Sequence, residues 1–235
     1  MSFPLPQQWS EYLGLSHRTP PDFFQSPDEI VDVPHAGALR DSFTKLGLSA
    51  FFCVQGVPTI AILAQGAYDQ SSVTKIHAAL WNQGLASILL VIADDTLRVF
   101  SLARRTVRDS EEEFQRRCLI ATLHSVADVL SLHELISGAE SGRLWEKYSE
   151  YFPQKERVDN VLLGNLSESH RRLCKEGLSS DASQALLMQT MFIAYLEDRE
   201  IITQQYMQKA TDNAASDFNA LLASGKTVLL TRLFE

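Results

Sequence analysis

The sequence predicts an α/β fold: a small mixed sheet in the order α-β-β-α-β-β, followed by an all-helical domain. Three observations carry this. Ile88-Leu89-Leu90-Val91-Ile92-Ala93 is an unbroken apolar run, short enough to be a strand buried on both faces. Before it, Asp69 to Gly84 places Val73, Ile76, Leu80 and Trp81 on one face at helical spacing. After it, Asp94-Asp95 reads as a tight turn and Thr96 to Leu102 as the returning strand. An amphipathic helix feeding a fully buried strand is how an α/β core is built.

The remaining elements follow in order. Six of the eight prolines fall before residue 35, which predicts an arm without long regular elements over residues 1–35, lying on the core. A first helix is predicted from Ala36 to Leu46, with Leu39, Phe43 and Leu46 on one side and Gly47 as the stop. Ala50 to Val54 and Val57 to Ala64 read as a hairpin turning at Gln55-Gly56, with Pro58 suited to an edge or a strand start. Asp69, Ser71 or Ser72 caps the helix that carries Trp81. Ser110 with Glu113 has the form of a capping box, which predicts a long helix from Glu111 to about Ile136. Beyond that point no strand is predicted. Helices are expected over Ser141–Tyr151, Arg157–Glu176 and Ala182–Glu200, the last with Ala185, Met188, Phe192, Tyr195 and Leu196 as its core stripe. The expected division is an α/β N-terminal domain over 1–108 and a helical connector over 109–235.

Composition bounds the function. The 235 residues carry a formal net charge of -8, which argues against a protein that coats nucleic acid with its whole surface and leaves a local basic face open. The apolar runs fall short of the ~20 residues a membrane helix needs, and no signal peptide is read at the N-terminus. Cys53, Cys118 and Cys174 are single and far apart, so spacing encodes neither a disulfide framework nor a metal site. A cytoplasmic location is the expectation.

The α-β-β-α-β-β order resembles the core of the PD-(D/E)xK nuclease superfamily. Those enzymes need carboxylates and a lysine at the hairpin to hold a divalent metal. Here Thr59-Ile60-Ala61-Ile62-Leu63-Ala64-Gln65 has no carboxylate, and Asp69 and Lys75 lie too far along to replace the set. The expectation is a nuclease-like scaffold without a catalytic centre.

A second signal lies in Phe192-Ile193-Ala194-Tyr195-Leu196-Glu197-Asp198-Arg199-Glu200-Ile201-Ile202. This segment resembles a helix found just ahead of the catalytic domain in large N6-adenine DNA methyltransferases of restriction–modification and phage-defence systems. The block Leu80-Trp81-Asn82-Gln83-Gly84, followed by an aliphatic strand and Arg98-Val99-Phe100, is similar to the N-terminal region of the same proteins. The resemblance implies that Tyr195, Glu197, Asp198 and Arg199 form a structural clamp between the helical segment and its neighbours. It implies S-adenosylmethionine (SAM) as cofactor of the full-length protein, a C-terminal methyltransferase domain as neighbour, and a possible restriction or defence subunit as partner. The chain itself lacks the family's Gly-containing cofactor loop and its Asn/Asp-Pro-Pro-aromatic motif. Thr19-Pro20-Pro21-Asp22 does not match that motif at its first or fourth position. No catalytic residue, metal or cofactor is therefore assigned to this segment, which is read as the N-terminal fragment of a larger enzyme.

The candidate contacts are few. Trp81 and Gly84 read as core and helix stop, with Asn82 and Gln83 either closing the helix or presenting their amides to a base edge or a partner backbone. Arg104, Arg105 and Arg108, with Arg116 and Arg117, form the densest basic run: a solvated face, or a set of phosphate contacts. Arg171, Arg172 and Lys175 are a weaker set. Ser224-Gly225-Lys226-Thr227 lacks the glycine a phosphate loop requires, and His124 with His133-Glu134 lacks zinc-ligand spacing. The expected function is non-catalytic DNA or partner binding; the alternative is a stand-alone protein-interaction module that does not bind DNA.

Overall fold

In a computed structural model that describes residues 3–106, 110–198, 201–226, 228–229 and 233, six strands form one open sheet in the order β1-β2-β3-β4-β5-β6. The strands are β1 (Phe23–Phe24), β2 (Ala50–Val54), β3 (Val57–Gln65), β4 (Ile88–Ala93), β5 (Thr96–Ser101) and β6 (Leu119–His124). All neighbours run antiparallel except β3 and β4, which are parallel, with Ile60 beside Ile88 and Ala64 beside Ile92. That single parallel pair is what the crossover helix α3 (Gln70–Gln83) makes possible, since parallel strands cannot be joined by a tight turn.

Local chemistry explains these elements. The Asp69 side chain accepts from the Ser71 N–H at the start of α3, and Gly84 ends it in the left-handed conformation at φ 65°. Gln55 and Gly56 both have positive φ, the requirement of a two-residue hairpin loop that matches strand twist. Pro58 sits opposite Cys53, next to a bulge in β2, and precedes the first β4 partner at Ile60, so its missing N–H interrupts no ladder on that side.

The sheet is covered on both faces. On one, Phe52, Ile62, Leu90, Ile92 and Val99 pack with Trp9 of α1 (Gln7–Tyr12), with Leu132, Leu135 and Ile136 of α5 (Val129–Ser141), and with Leu144 of α6 (Arg143–Lys147). On the other, Phe51, Leu63, Leu89, Val91 and Phe100 pack with Leu39 and Phe43 of α2 (Ala36–Thr44), Val73 and Leu80 of α3, and Phe114 of α4 (Glu111–Cys118). Every residue of β4 is buried, as its continuous apolar run requires.

The chain after Ser110 departs from the expectation. The predicted long helix after Ser110 is α4, then β6, then α5: Leu119 to His124 pairs antiparallel with β5 and extends the sheet. The compact units are consequently Met1–Leu162 and Leu163–Glu235 rather than 1–108 and 109–235. The proline-rich arm lies on the core, its longest element the six-residue α1, with Leu13, Leu15, Phe23, Phe24 and Ile30 buried and β1 paired to β2.

The helix α7 (Val158–Lys175) spans the boundary between the units. The second unit continues with α8 (Ser180–Asp198), α9 (Gln204–Ala210) and α10 (Phe218–Ala223), around a small core of Ile193, Ile202, Met207, Phe218 and Leu221. Here the expected stripe of α8 holds only at Leu196, which packs against this core. Met188, Phe192 and Tyr195 are exposed, while Ser183 and Ile193 are buried. Apolar residues surround α8 on more than one side, so periodicity alone does not select its inner face.

Candidate functional site

The Trp81–Gly84 block lies at a junction in the first unit. Trp81 is buried, and its indole N–H donates to the Glu156 carbonyl at 3.1 Å. Gln83 Oε1 accepts from the Ser42 hydroxyl at 2.9 Å, tying the end of α3 to α2. A Cβ on Gly84 would stand 2.8 Å from Val158 Cγ1, so the block and the residue 156–158 segment approach as closely as a glycine permits. Asn82 alone of the four presents an exposed side chain.

Glu156 is the organiser of this junction, and sequence reasoning missed it. Its carboxylate takes Arg104 Nη1 at 3.4 Å through one oxygen and Arg117 Nη2 at 2.5 Å through the other. Arg104 also donates to the Glu150 carbonyl, and its Nε is buried without a hydrogen-bond partner among the described residues. A guanidinium held this way is not available to a phosphate. Of the basic run, Arg105 and Arg116 remain exposed; Arg116 lies only loosely, at 4.0 Å, from Glu113. Arg108 lies outside the described residues. Arg171 and Arg172 both pair with Glu168.

Beside this clamp lies a cleft of about 390 Å³ walled by Trp81, Gly84, Ala86, Leu102, Trp145 and Phe152, with Gln83, Ser87, Gln154, Arg157 and Asp159 as its polar groups. Trp145 and Phe152 meet edge to face at 5.1 Å, and Arg157 Nε pairs with Asp159 at 3.4 Å. The cleft draws on residues from 81 to 159, and no motif links them in sequence. The sequence signal nearest to it is Pro153, which ends the preceding helical turn and lets the chain fold back over α3.

A buried polar line runs beneath the junction. His77 is fully buried, with Nε2 donating to the Ser101 carbonyl at 2.8 Å and Nδ1 accepting from the Thr106 hydroxyl at 2.6 Å. Ser101 Oγ in turn donates to the Tyr151 carbonyl. Burial disfavours the imidazolium and pushes the His77 pKa down to about 4, with the Ser101 hydrogen bond opposing. His77 is a neutral strut.

In the second unit, Glu197 Oε1 accepts from the Phe218 N–H at 3.0 Å and so fastens the end of α8 to the start of α10. Asp198 closes α8. Arg199 lies outside the described residues. Among the described residues, no group of three or more His, Cys, Asp or Glu is placed to hold a metal, and no helix is long and apolar enough to cross a membrane. Compared with protein-family models, curated proteins and solved structures, the chain gives no match.

Proposed function

We propose that the chain is the non-catalytic N-terminal region of a SAM-dependent DNA adenine N6-methyltransferase of a restriction–modification or phage-defence system, contributing to DNA or partner binding. The run from α2 to β5 serves as a nuclease-like scaffold without the carboxylates of a metal site. The observation that carries this reading is on α8, at the segment that resembles the helix ahead of the catalytic domain. Met188 and Met191, on the turn of α8 that leads into that segment, and Phe192 at its start are 71%, 42% and 60% exposed, an apolar stripe suited to docking on a partner surface such as the following catalytic domain. Among the described residues of the candidate set, Asn82, Arg105 and Arg116 are the exposed ones for DNA contact.

SAM belongs, in this reading, to that following domain. An open α/β sheet receives such a ligand beyond the carboxyl ends of its parallel strands. At that end of β3 the Asp69 side chain caps α3 by accepting from the Ser71 N–H.

A second reading, a stand-alone interaction module, is favoured by the net charge of -8 and by the neutralisation of Arg104 and Arg117. Titrating duplex DNA into the chain across a salt series separates the two. Salt-sensitive binding that is lost in Arg105→Glu/Arg116→Glu supports DNA contact; no binding at low salt supports the module. Methyl transfer to DNA, or Mg²⁺-dependent cleavage, by the purified chain alone would overturn both.

A further inference from the structure

The cleft beside the Glu156 clamp holds binding groups that the fold itself does not use. Trp81 offers it an apolar surface only, since its indole N–H is committed to the Glu156 carbonyl. Trp145 and Phe152 are half-buried, and each packs on the core and also walls the cleft. Their planes meet at 69°, so a flat ring laid against one meets the edge of the other. We propose that this cleft binds a ribonucleoside monophosphate, its base against Trp145 and Phe152, its ribose hydroxyls on Asp159 and its phosphate on Arg157.

The polar groups have the capacity for this. Arg157 uses only Nε, toward Asp159 Oδ1 at 3.4 Å, and its two terminal nitrogens have no partner among the described residues. A guanidinium fork matches a phosphate in a bidentate pair. The 18-residue α7 begins here, and the N–H groups of Val158 and Asp159 have no acceptor among the described residues. The positive end of a helix therefore stands beside the same arginine. Asp159 Oδ1 also accepts from the Asn160 N–H at 3.0 Å, which leaves Oδ2 to accept from a sugar hydroxyl, the usual task of a carboxylate in ribose recognition. Gln83 lines the cleft with its Nε2 unpartnered among the described residues, a donor for a base edge.

Size and charge narrow the class. At about 390 Å³ the cleft stands near the lower end of the roughly 300–1,000 Å³ range of small-molecule sites, enough for one nucleotide and not for a duplex. The ion-paired set around it, Arg104, Arg117 and Arg157 with Glu156 and Asp159, carries one excess positive charge in a chain of net charge -8. That favours an anionic ligand over a cationic one, which the aromatic walls alone would also admit.

The test is titration of adenosine 5′-monophosphate (AMP) into the full chain, read by calorimetry and by tryptophan fluorescence, since Trp81 and Trp145 line the cleft. The expected result is saturable binding that weakens about tenfold with adenosine, which lacks the phosphate, and about tenfold with 2′-deoxy-AMP, the scale of one charge-assisted hydrogen bond each. Arg157→Gln removes the discrimination against adenosine, and Asp159→Asn removes the discrimination against the deoxy form. Both side chains are about half exposed, at 49% and 59%, so each variant keeps the circular dichroism spectrum of the wild type. No saturable signal up to millimolar AMP overturns the proposal. So does discrimination that survives in both variants, displacement of AMP by an equal concentration of inorganic phosphate, or binding of a single-stranded oligonucleotide with none of the mononucleotide.

Discussion

His77 makes a prediction whose size follows from its surroundings. Its ring is enclosed by Phe114, which meets it edge to face at 5.0 Å, and both nitrogens are committed to Ser101 and Thr106. Burial lowers the folded-state pKa from 6.5 to about 4, so the unfolded chain binds this proton more tightly than the folded one. The contribution to stability is therefore complete above about pH 6.5 and is lost as the pH falls toward about 4. Linkage puts the loss at about 2 kcal/mol on going from about pH 7.5 to about pH 5, reaching about 3 kcal/mol near pH 4. Urea unfolding followed by tryptophan fluorescence suits the measurement, because Trp9, Trp81 and Trp145 all lie in the Met1–Leu162 unit. Comparison with His77→Gln removes the background from other titrating groups. The wild type is expected to lose about 2 kcal/mol more than the variant over that interval. Parallel pH profiles for the two proteins, or an imidazole that titrates near 6.5 by NMR in the folded state, would refute the reasoning.

Three further outcomes are expected. Gly84→Ala forces a side chain into φ 65° and against Val158 Cγ1 at 2.8 Å, costing about 2 kcal/mol in a thermal melt; Val158→Ala in the same chain recovers part of that loss, and no recovery would place the strain elsewhere. Glu156→Gln lowers stability by about 1 kcal/mol by releasing Arg104 and Arg117, whereas the Trp81 bond to the residue 156 carbonyl persists; the difference from wild type shrinks in high salt. Burial pushes the Cys53 thiol up to about 11, aided by the Asp22 charge, and the Cys118 thiol up to about 12 against the pull of Arg117 and Arg104. A disulfide reagent should thus label half-buried Cys174 in the native chain and the other two only after unfolding; fast labelling of all three would contradict the packing.

The part of the fold legible in the sequence is the part specified within a few residues of each element. Asp69 and Gly84 mark the ends of α3 because capping and left-handed closure are local hydrogen-bond and steric events. β4 is legible because a strand buried on both faces must be apolar throughout. β6 was not. Leu119 to His124 follows a capped helix without a break, and its strand conformation depends on Leu97, Arg98 and Val99 lying alongside, since β-preference expresses cross-strand packing. The inner face of α8 was hidden for a related reason: only the neighbours Met207, Phe218 and Leu221 decide that Ile193 turns inward while Phe192 stays out. The site divides in the same way. The sequence alone determined that Trp81 to Gly84 ends a helix and that arginines cluster at 104–117. Only the tertiary structure decided that Glu156, 52 residues after Arg104, neutralises two of them, because an ion pair is set by distance in space and leaves no periodicity along the chain.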